Sequence, residues 1–200
     1  VYGTAQYVPI DERHPLVAQS PYSASKISAD QLAISFYRSY EMPIRLVRPF
    51  NTYGPRQSAR AFIPTVITQI LNGQKKINMG NIHPTRDFTF VKDMVSGFIE
   101  IAKSKITIGE VTNIGMNAEI SILDLTQKIS ALMKADVQIQ TENDRVRPDK
   151  SEVERLWCDN RKVIQNTNWR PKFDLDSGLR ETIKWFEAYK GLYKPDNYIV

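Results

Sequence analysis

Short β-branched and aromatic segments alternate with longer helical patterns along this chain, and that alternation narrows its fold more than any other feature. Strand patterns fall at "IRLVR" (44–48), "KKINMG" (75–80), 87–91, "EVTNIG" (110–115) and "DVQIQ" (136–140). Helical patterns separate them at 21–40, from "AFIPTVITQILNG" to Gly73, from about Lys92, at "SILDLTQKISALM" (121–133) and at about 175–189. Strands alternating with helices imply an α/β architecture with parallel pairings, because a parallel neighbour is reached only through a crossover. Sheets of that kind bind ligands at the carboxyl ends of their strands.

Local signals set several boundaries. Ser20 is a good N-cap, Pro21 suits the first helical turn, and no Gly or Pro interrupts the run to Tyr40. Ser121 and Asp124 form a capping-box pattern, followed by an apolar stripe of Ile122, Leu125, Ile129 and Leu132. Asp159 is expected to cap a short helix, and Asp93 to cap or start one, rather than touch a ligand. Residues 6–20, "FNTYGPRQSAR" (50–60) and the charged stretch 141–158 read as loops.

Two hundred residues with 42% hydrophobic content build a core without disulfide or metal support. Cys158 is the only cysteine, which excludes an intramolecular disulfide and suits a reducing compartment. No apolar run approaches the roughly 20 residues that span a bilayer, and no basic-then-apolar leader pattern opens the chain, so the cytoplasm is the expected location and no membrane partner is implied. A net charge of +5 favours an anionic partner. The basic residues are scattered among acidic ones, without interleaved aromatics, which argues against nucleic acid. His14 and His83 stand apart from any Cys or His at ligand spacing, so no metal site is expected.

The stretch "SPYSASKISAD" (20–30) carries a chemical possibility. At 100° per residue Tyr22, Lys26, Ala29, Ala33, Phe36 and Tyr40 share one helix face, which is expected to be the buried one. A lysine on such a face must snorkel or find a polar partner. In the functional reading, Lys26 and the helix N-terminus place positive charge near the Tyr22 hydroxyl and favour the phenolate, making it a base for a substrate hydroxyl. The competing reading is a half-buried tyrosine and a lysine whose head reaches water.

Context bears on that choice. "VYG", "SPYSASK", "RLVRPFNTYGPR", "TRDFTFVKD" and "NWRPKFDLDSGLRETIKW" stand in one order, and together the chain resembles the extended short-chain dehydrogenase/reductases that act on nucleotide sugars, the NAD-dependent epimerase/dehydratase family. The resemblance covers nearly all of residues 1–190. It implies the C-terminal part of a Rossmann-like doubly wound parallel sheet in residues 1–58. Residues 59–200 would then form a small α/β substrate-binding lobe, with some segments returning to the sheet. It implies that Tyr22 is the catalytic base and that Lys26 assists it and binds the nicotinamide ribose of NAD. Pro49 and Phe50 would line the nicotinamide pocket, and Asn51 would contact the sugar nucleotide. Arg86 and Arg147 match positions that bind the diphosphate or ribose, with Arg60 in the same pocket. A guanidinium suits phosphate because its planar fork of donors never deprotonates. Surface arginines and a plain Tyr-Gly-Pro turn are the alternatives for these positions.

Within the family, "PFNTYGPRQSARAFIPTVITQIL" followed by "RPDKSEVERLWCDN" looks most like the 4,6-dehydratases of UDP- or GDP-linked N-acetylglucosamine used in making nonulosonic acids. UDP-glucuronate decarboxylases and 4-epimerases share most of these motifs. The family's helix bearing Tyr and Lys commonly packs in a homodimer's four-helix bundle, for which Ile34 and Tyr37 are the outer candidates here. The family's G-x-x-G-x-x-G signature is missing, since the nine glycines never fall at that spacing. The expectation is a C-terminal fragment of a longer enzyme, inactive alone, or else a non-catalytic sugar-nucleotide-binding module that pairs with a partner chain.

Overall fold

In the computed structural model, residues 1–141 and 152–193 are described. Helix α1 spans Pro21–Tyr40, with the Ser20 hydroxyl accepting from the Ser23 N–H at 3.1 Å and Glu41 closing the other end in the left-handed region. Strand β1 is Leu46–Pro49 and β2 is Asn51–Tyr53, followed by α2 (Phe62–Leu71), β3 (Lys76–Met79), β4 (Thr85–Arg86) and β5 (Phe88–Phe90). Then come α3 (Val91–Lys103), β6 (Val111–Ile114), β7 (Ile120–Ser121), α4 (Ile122–Leu132) and β8 (Gln138–Thr141). The chain continues through β9 (Arg155–Leu156), α5 (Arg161–Asn166), α6 (Leu175–Ala188) and a 3-10 turn at Lys190–Leu192.

Most pairings are parallel, as the alternation requires. β1 pairs with β6 (Leu46 beside Val111), β2 with β5 (Asn51 beside Phe88) and β3 with β8 (Lys76 beside Gln138). β4 lies between β7, antiparallel, and β9, parallel. The expected loop at 50–60 is corrected at its start. Past Phe50, whose N–H still reaches Ile114, the Asn51 N–H turns to the Asp87 carbonyl, and 51–53 forms β2 against β5.

The main core lies among α2, α4, α6, β3 and β5, with Ile63, Ile67, Phe90, Leu125, Ile129 and Phe186 among its buried members. The α4 stripe points into it, with Leu132 at its margin. Ser121 caps α4 through the Asp124 N–H at 3.0 Å. A second cluster places Met94, Ile101, Ile114, Val163 and Trp169 among α3, α5 and β6. Asp93 sits in the first turn of α3 but is buried, and its carboxylate accepts the N–H groups of Lys172 (3.0 Å) and Phe173 (2.9 Å). Asp159 accepts the Arg161 N–H at 3.0 Å, one residue ahead of the helical cap Asn160.

The buried stripe expected on α1 is not what the structure shows. No α1 residue is fully buried, and Tyr22, Lys26, Ala29, Phe36 and Tyr40 are exposed. The inward face carries Ile27, Asp30, Ile34 and Tyr37 instead. The reason is the neighbour on each side: Asp30 is held by Arg48 of β1, and the Tyr37 ring lies against Gly109, where a side chain would collide with it. Ile34 and Tyr37 are therefore removed from the outer surface assigned to them. Among the described residues, no helix is long and apolar enough to cross a membrane, and no cluster of three or more His, Cys, Asp or Glu is arranged to hold a metal.

Candidate active site

A cleft of about 1040 Å³ opens at the carboxyl ends of β1 and β3, and its walls gather Tyr22, Pro49, Phe50, Asn51, Arg60 and Arg86. Each comes from a different local device. Tyr22 is in the first turn of α1, set there by the Ser20 cap, and is 72% exposed. Pro49 ends β1, Phe50 is buried behind it, and Asn51 opens β2. Arg60 is an exposed residue of the turn leading to α2, with its N–H on the Ser58 hydroxyl. Arg86 ends β4 and makes an ion pair with Glu152 at 3.2 Å. Lys26 does not line the cleft, but its ammonium lies 5.5 Å from the centre of the Tyr22 ring, one turn along α1. Arg147 lies outside the described residues.

Other residues of this wall stand inside the quoted motifs but were given no role there. Tyr2 and Arg48 line the cleft and form a buried network behind it. Arg48 Nε donates to Asp30 at 2.8 Å and Nη1 donates to the Tyr2 hydroxyl at 3.0 Å, which in turn donates to Asn113 Oδ1 at 2.6 Å. Burial pushes the Tyr2 phenol up to about 12, which keeps it a donor at neutral pH. The one available signal was Arg48 itself, a charge inside the apolar strand "IRLVR". Glu152 gave none, because its role depends on contact with Arg86, which is distant in sequence.

Asp87 lies between Arg86 and Phe88, which line the cleft. It is fully buried, and its carboxylate accepts the N–H groups of Met116 (2.7 Å), Cys158 (3.2 Å) and Ala118 (3.3 Å). Burial pushes its carboxyl up to about 6, with these backbone donors pulling the other way.

The arrangement offers an exposed phenol beside an ammonium, an aromatic and proline wall, a buried-edge amide at Asn51, and guanidinium groups for an anion. That set fits the nicotinamide end of a dinucleotide together with a phosphorylated sugar. Among the described residues there is no pyrophosphate cradle. The positive-φ glycines, Gly3, Gly54, Gly73 and Gly109, are dispersed, and none begins a helix.

Comparison with known proteins agrees with this geometry. A family profile described as GDP-mannose 4,6 dehydratase matches residues 1–182. The dTDP-glucose 4,6-dehydratase of Streptomyces griseus is 32% identical over 196 residues, which are 98% of this chain and 58% of that protein. The structure of dTDP-glucose 4,6-dehydratase from Bacillus anthracis in complex with NAD superposes with a TM-score of 0.85 at 32% identity, over 98% of this chain and 61% of that one. UDP-N-acetylglucosamine 4-epimerase from Methanobrevibacter ruminantium, solved with UDP-N-acetylmuramic acid, gives 0.84 at 30% identity, over 94% of this chain and 60% of that one. The chain thus spans about three-fifths of the length of these relatives. Parallel pairings, a phenol-lined cleft at the strand ends and a match that runs from residue 1 to residue 182 have one account: the chain belongs to the GDP-mannose 4,6 dehydratase family, within the extended short-chain dehydrogenase/reductases of the NAD-dependent epimerase/dehydratase type.

Proposed function

We propose that this chain carries the substrate-binding side of an NAD-dependent nucleotide-sugar 4,6-dehydratase that acts in the cytoplasm on UDP- or GDP-linked N-acetylglucosamine. The observation that carries the reading is convergence. Tyr22, the run Pro49–Asn51, Arg60 and Arg86 come from separate segments of the chain, yet they line one cleft. Residues 1–58 would belong to the cofactor-binding domain and residues 59–200 mostly to the substrate lobe.

Each residue then has a task. Tyr22 takes the proton of the sugar 4-hydroxyl, and Lys26, whose ammonium lies 5.5 Å from the centre of the Tyr22 ring, supplies positive charge beside it. Lys26 also binds the nicotinamide ribose. Pro49 and Phe50 wall the nicotinamide site and exclude water, Asn51 orients the sugar nucleotide, and Arg60, Arg86 and Arg147 hold its diphosphate and ribose. When bound, NAD supplies reversible two-electron chemistry, accepting hydride from the sugar and returning it after water is lost. Because the described residues offer no pyrophosphate cradle, the 200 residues alone are expected to bind the nucleotide sugar without turning it over. The full-length protein is expected to be a homodimer built on the outward face of α1, where Leu32, Phe36 and Tyr40 are exposed.

The test has two arms. Calorimetric titration of this chain with UDP- and GDP-N-acetylglucosamine should show binding that Arg60→Ala and Arg86→Ala weaken. The full-length protein with NAD should convert one of them to a 4-keto-6-deoxy product. Absence of nucleotide-sugar binding would refute the reading. A 4-epimer as product would instead support an epimerase, the second reading, which the Methanobrevibacter ruminantium relative favours. Binding without any turnover by the full-length protein would point to a non-catalytic module.

A further inference from the structure

The arginine assigned to the diphosphate is occupied by a carboxylate of the chain itself. Glu152 Oε1 lies 3.2 Å from Arg86 Nη2, only 15% and 14% of the two side chains are exposed, and both residues line the cleft. The same glutamate oxygen accepts the Val153 N–H at 3.1 Å. Charges this enclosed need a partner, because leaving either one alone in a poorly hydrated wall is expensive. An incoming anion and Glu152 cannot both sit on the guanidinium without repelling each other. The backbone is held at the glutamate and just beyond it: Thr4 Oγ1 donates to the Glu152 carbonyl at 3.2 Å, and the Thr85 N–H donates to the Glu154 carbonyl at 2.9 Å. The exchange is therefore a rotation of the Glu152 side chain, not a movement of the segment.

We infer that Glu152 is a specificity-determining residue, an internal counter-ion on Arg86 that every anionic ligand must displace. The inference rests on the nucleotide-sugar reading of this cleft. Its consequence is a threshold. A small anion gripped at Arg86 alone gains too little to displace the glutamate, whereas a nucleotide diphosphate held also at its nucleoside and sugar ends does so. Glu152 weakens all anion binding so that only a ligand anchored at several points is retained.

The experiment compares wild type, Glu152→Gln and Glu152→Ala as the same 200-residue chain, titrated with UDP-N-acetylglucosamine and, separately, with inorganic phosphate as competitor. Both substitutions should tighten nucleotide-sugar binding about tenfold, as expected when a close competing charge is removed. Both should also make phosphate an effective competitor. Adding Arg86→Gln should erase the gain. A merely structural glutamate would weaken binding when replaced, so the sign of the change decides. Unchanged or weaker binding in both variants, with wild type binding normally, would overturn the inference and leave the nucleotide-sugar reading intact. Failure of wild type and variants alike to bind the nucleotide sugar would overturn both.

Discussion

Asp87 shows how much a single residue can organise. It adjoins Arg86 in sequence, and its carboxylate draws together the turn at 116–118 and the segment at Cys158. Its carboxyl is raised to about 6 by burial, against an ordinary value of 3.8, so the folded chain holds that proton more tightly than the unfolded chain. The stabilisation is complete below the unfolded value and is lost as pH rises through 6, a span worth about 3 kcal/mol at 1.36 kcal/mol per unit. Urea unfolding between pH 4 and 6.5 should show wild type losing stability relative to Asp87→Asn over this interval. A difference that does not vary with pH would contradict the assignment. Tyr22 makes the complementary prediction for the chemistry. In the proposed full-length enzyme, Tyr22→Phe should reduce kcat by at least about a hundredfold, the usual contribution of a positioned proton acceptor, and leave nucleotide-sugar affinity nearly unchanged. The Tyr–Lys spacing was legible because it is local. Asp87 was not, because its partners lie about 30 and 70 positions away along the chain, and only folding brings their N–H groups together.

At the scale of elements, caps and breakers did most of the predicting. Ser20 with Pro21, and Ser121 with Asp124, start α1 and α4 where the local chemistry says they should, because the partner of each cap is three residues away. How α1 attaches was not legible. It is fastened to β1 by the Arg48–Asp30 pair, with side chains 8% and 19% exposed, and a helix pattern cannot show which strand will supply a guanidinium. Asp30→Ala leaves the buried Arg48 charge without that partner and should cost about 3 kcal/mol, with amide exchange along α1 accelerating more than exchange in α4. Gly178 makes a second test. α6 packs so closely on β2 that a methyl group at Gly178 would overlap the Tyr53 hydroxyl, which donates to the Leu175 carbonyl at 3.2 Å. Gly178→Ala should therefore destabilise by about 1–3 kcal/mol in urea unfolding, even though alanine is the better helix former.

For the whole molecule, the question is which surfaces remain outside. The main core is filled by α2, α4 and α6 on the strands beside them, whereas α1 leaves Leu32, Phe36 and Tyr40 exposed. If that face joins two copies in the full-length protein, Leu32→Glu with Phe36→Glu should move sedimentation from dimer to monomer while the unfolding free energy of this 200-residue chain in urea stays within about 0.5 kcal/mol of wild type, the normal range for surface changes. The order of motifs, the alternation of strands and helices, and the capped ends of α1 and α4 were all written in the chain. They rest on interactions between near neighbours or on patterns that repeat along it. The covered face of α1, the network of Arg48, Tyr2 and Asn113, the hold of Asp87 and the pairing of Glu152 with Arg86 were settled by packing. Each depends on which distant segment arrives beside it, and periodicity can say that a face is apolar without saying whether anything will cover it.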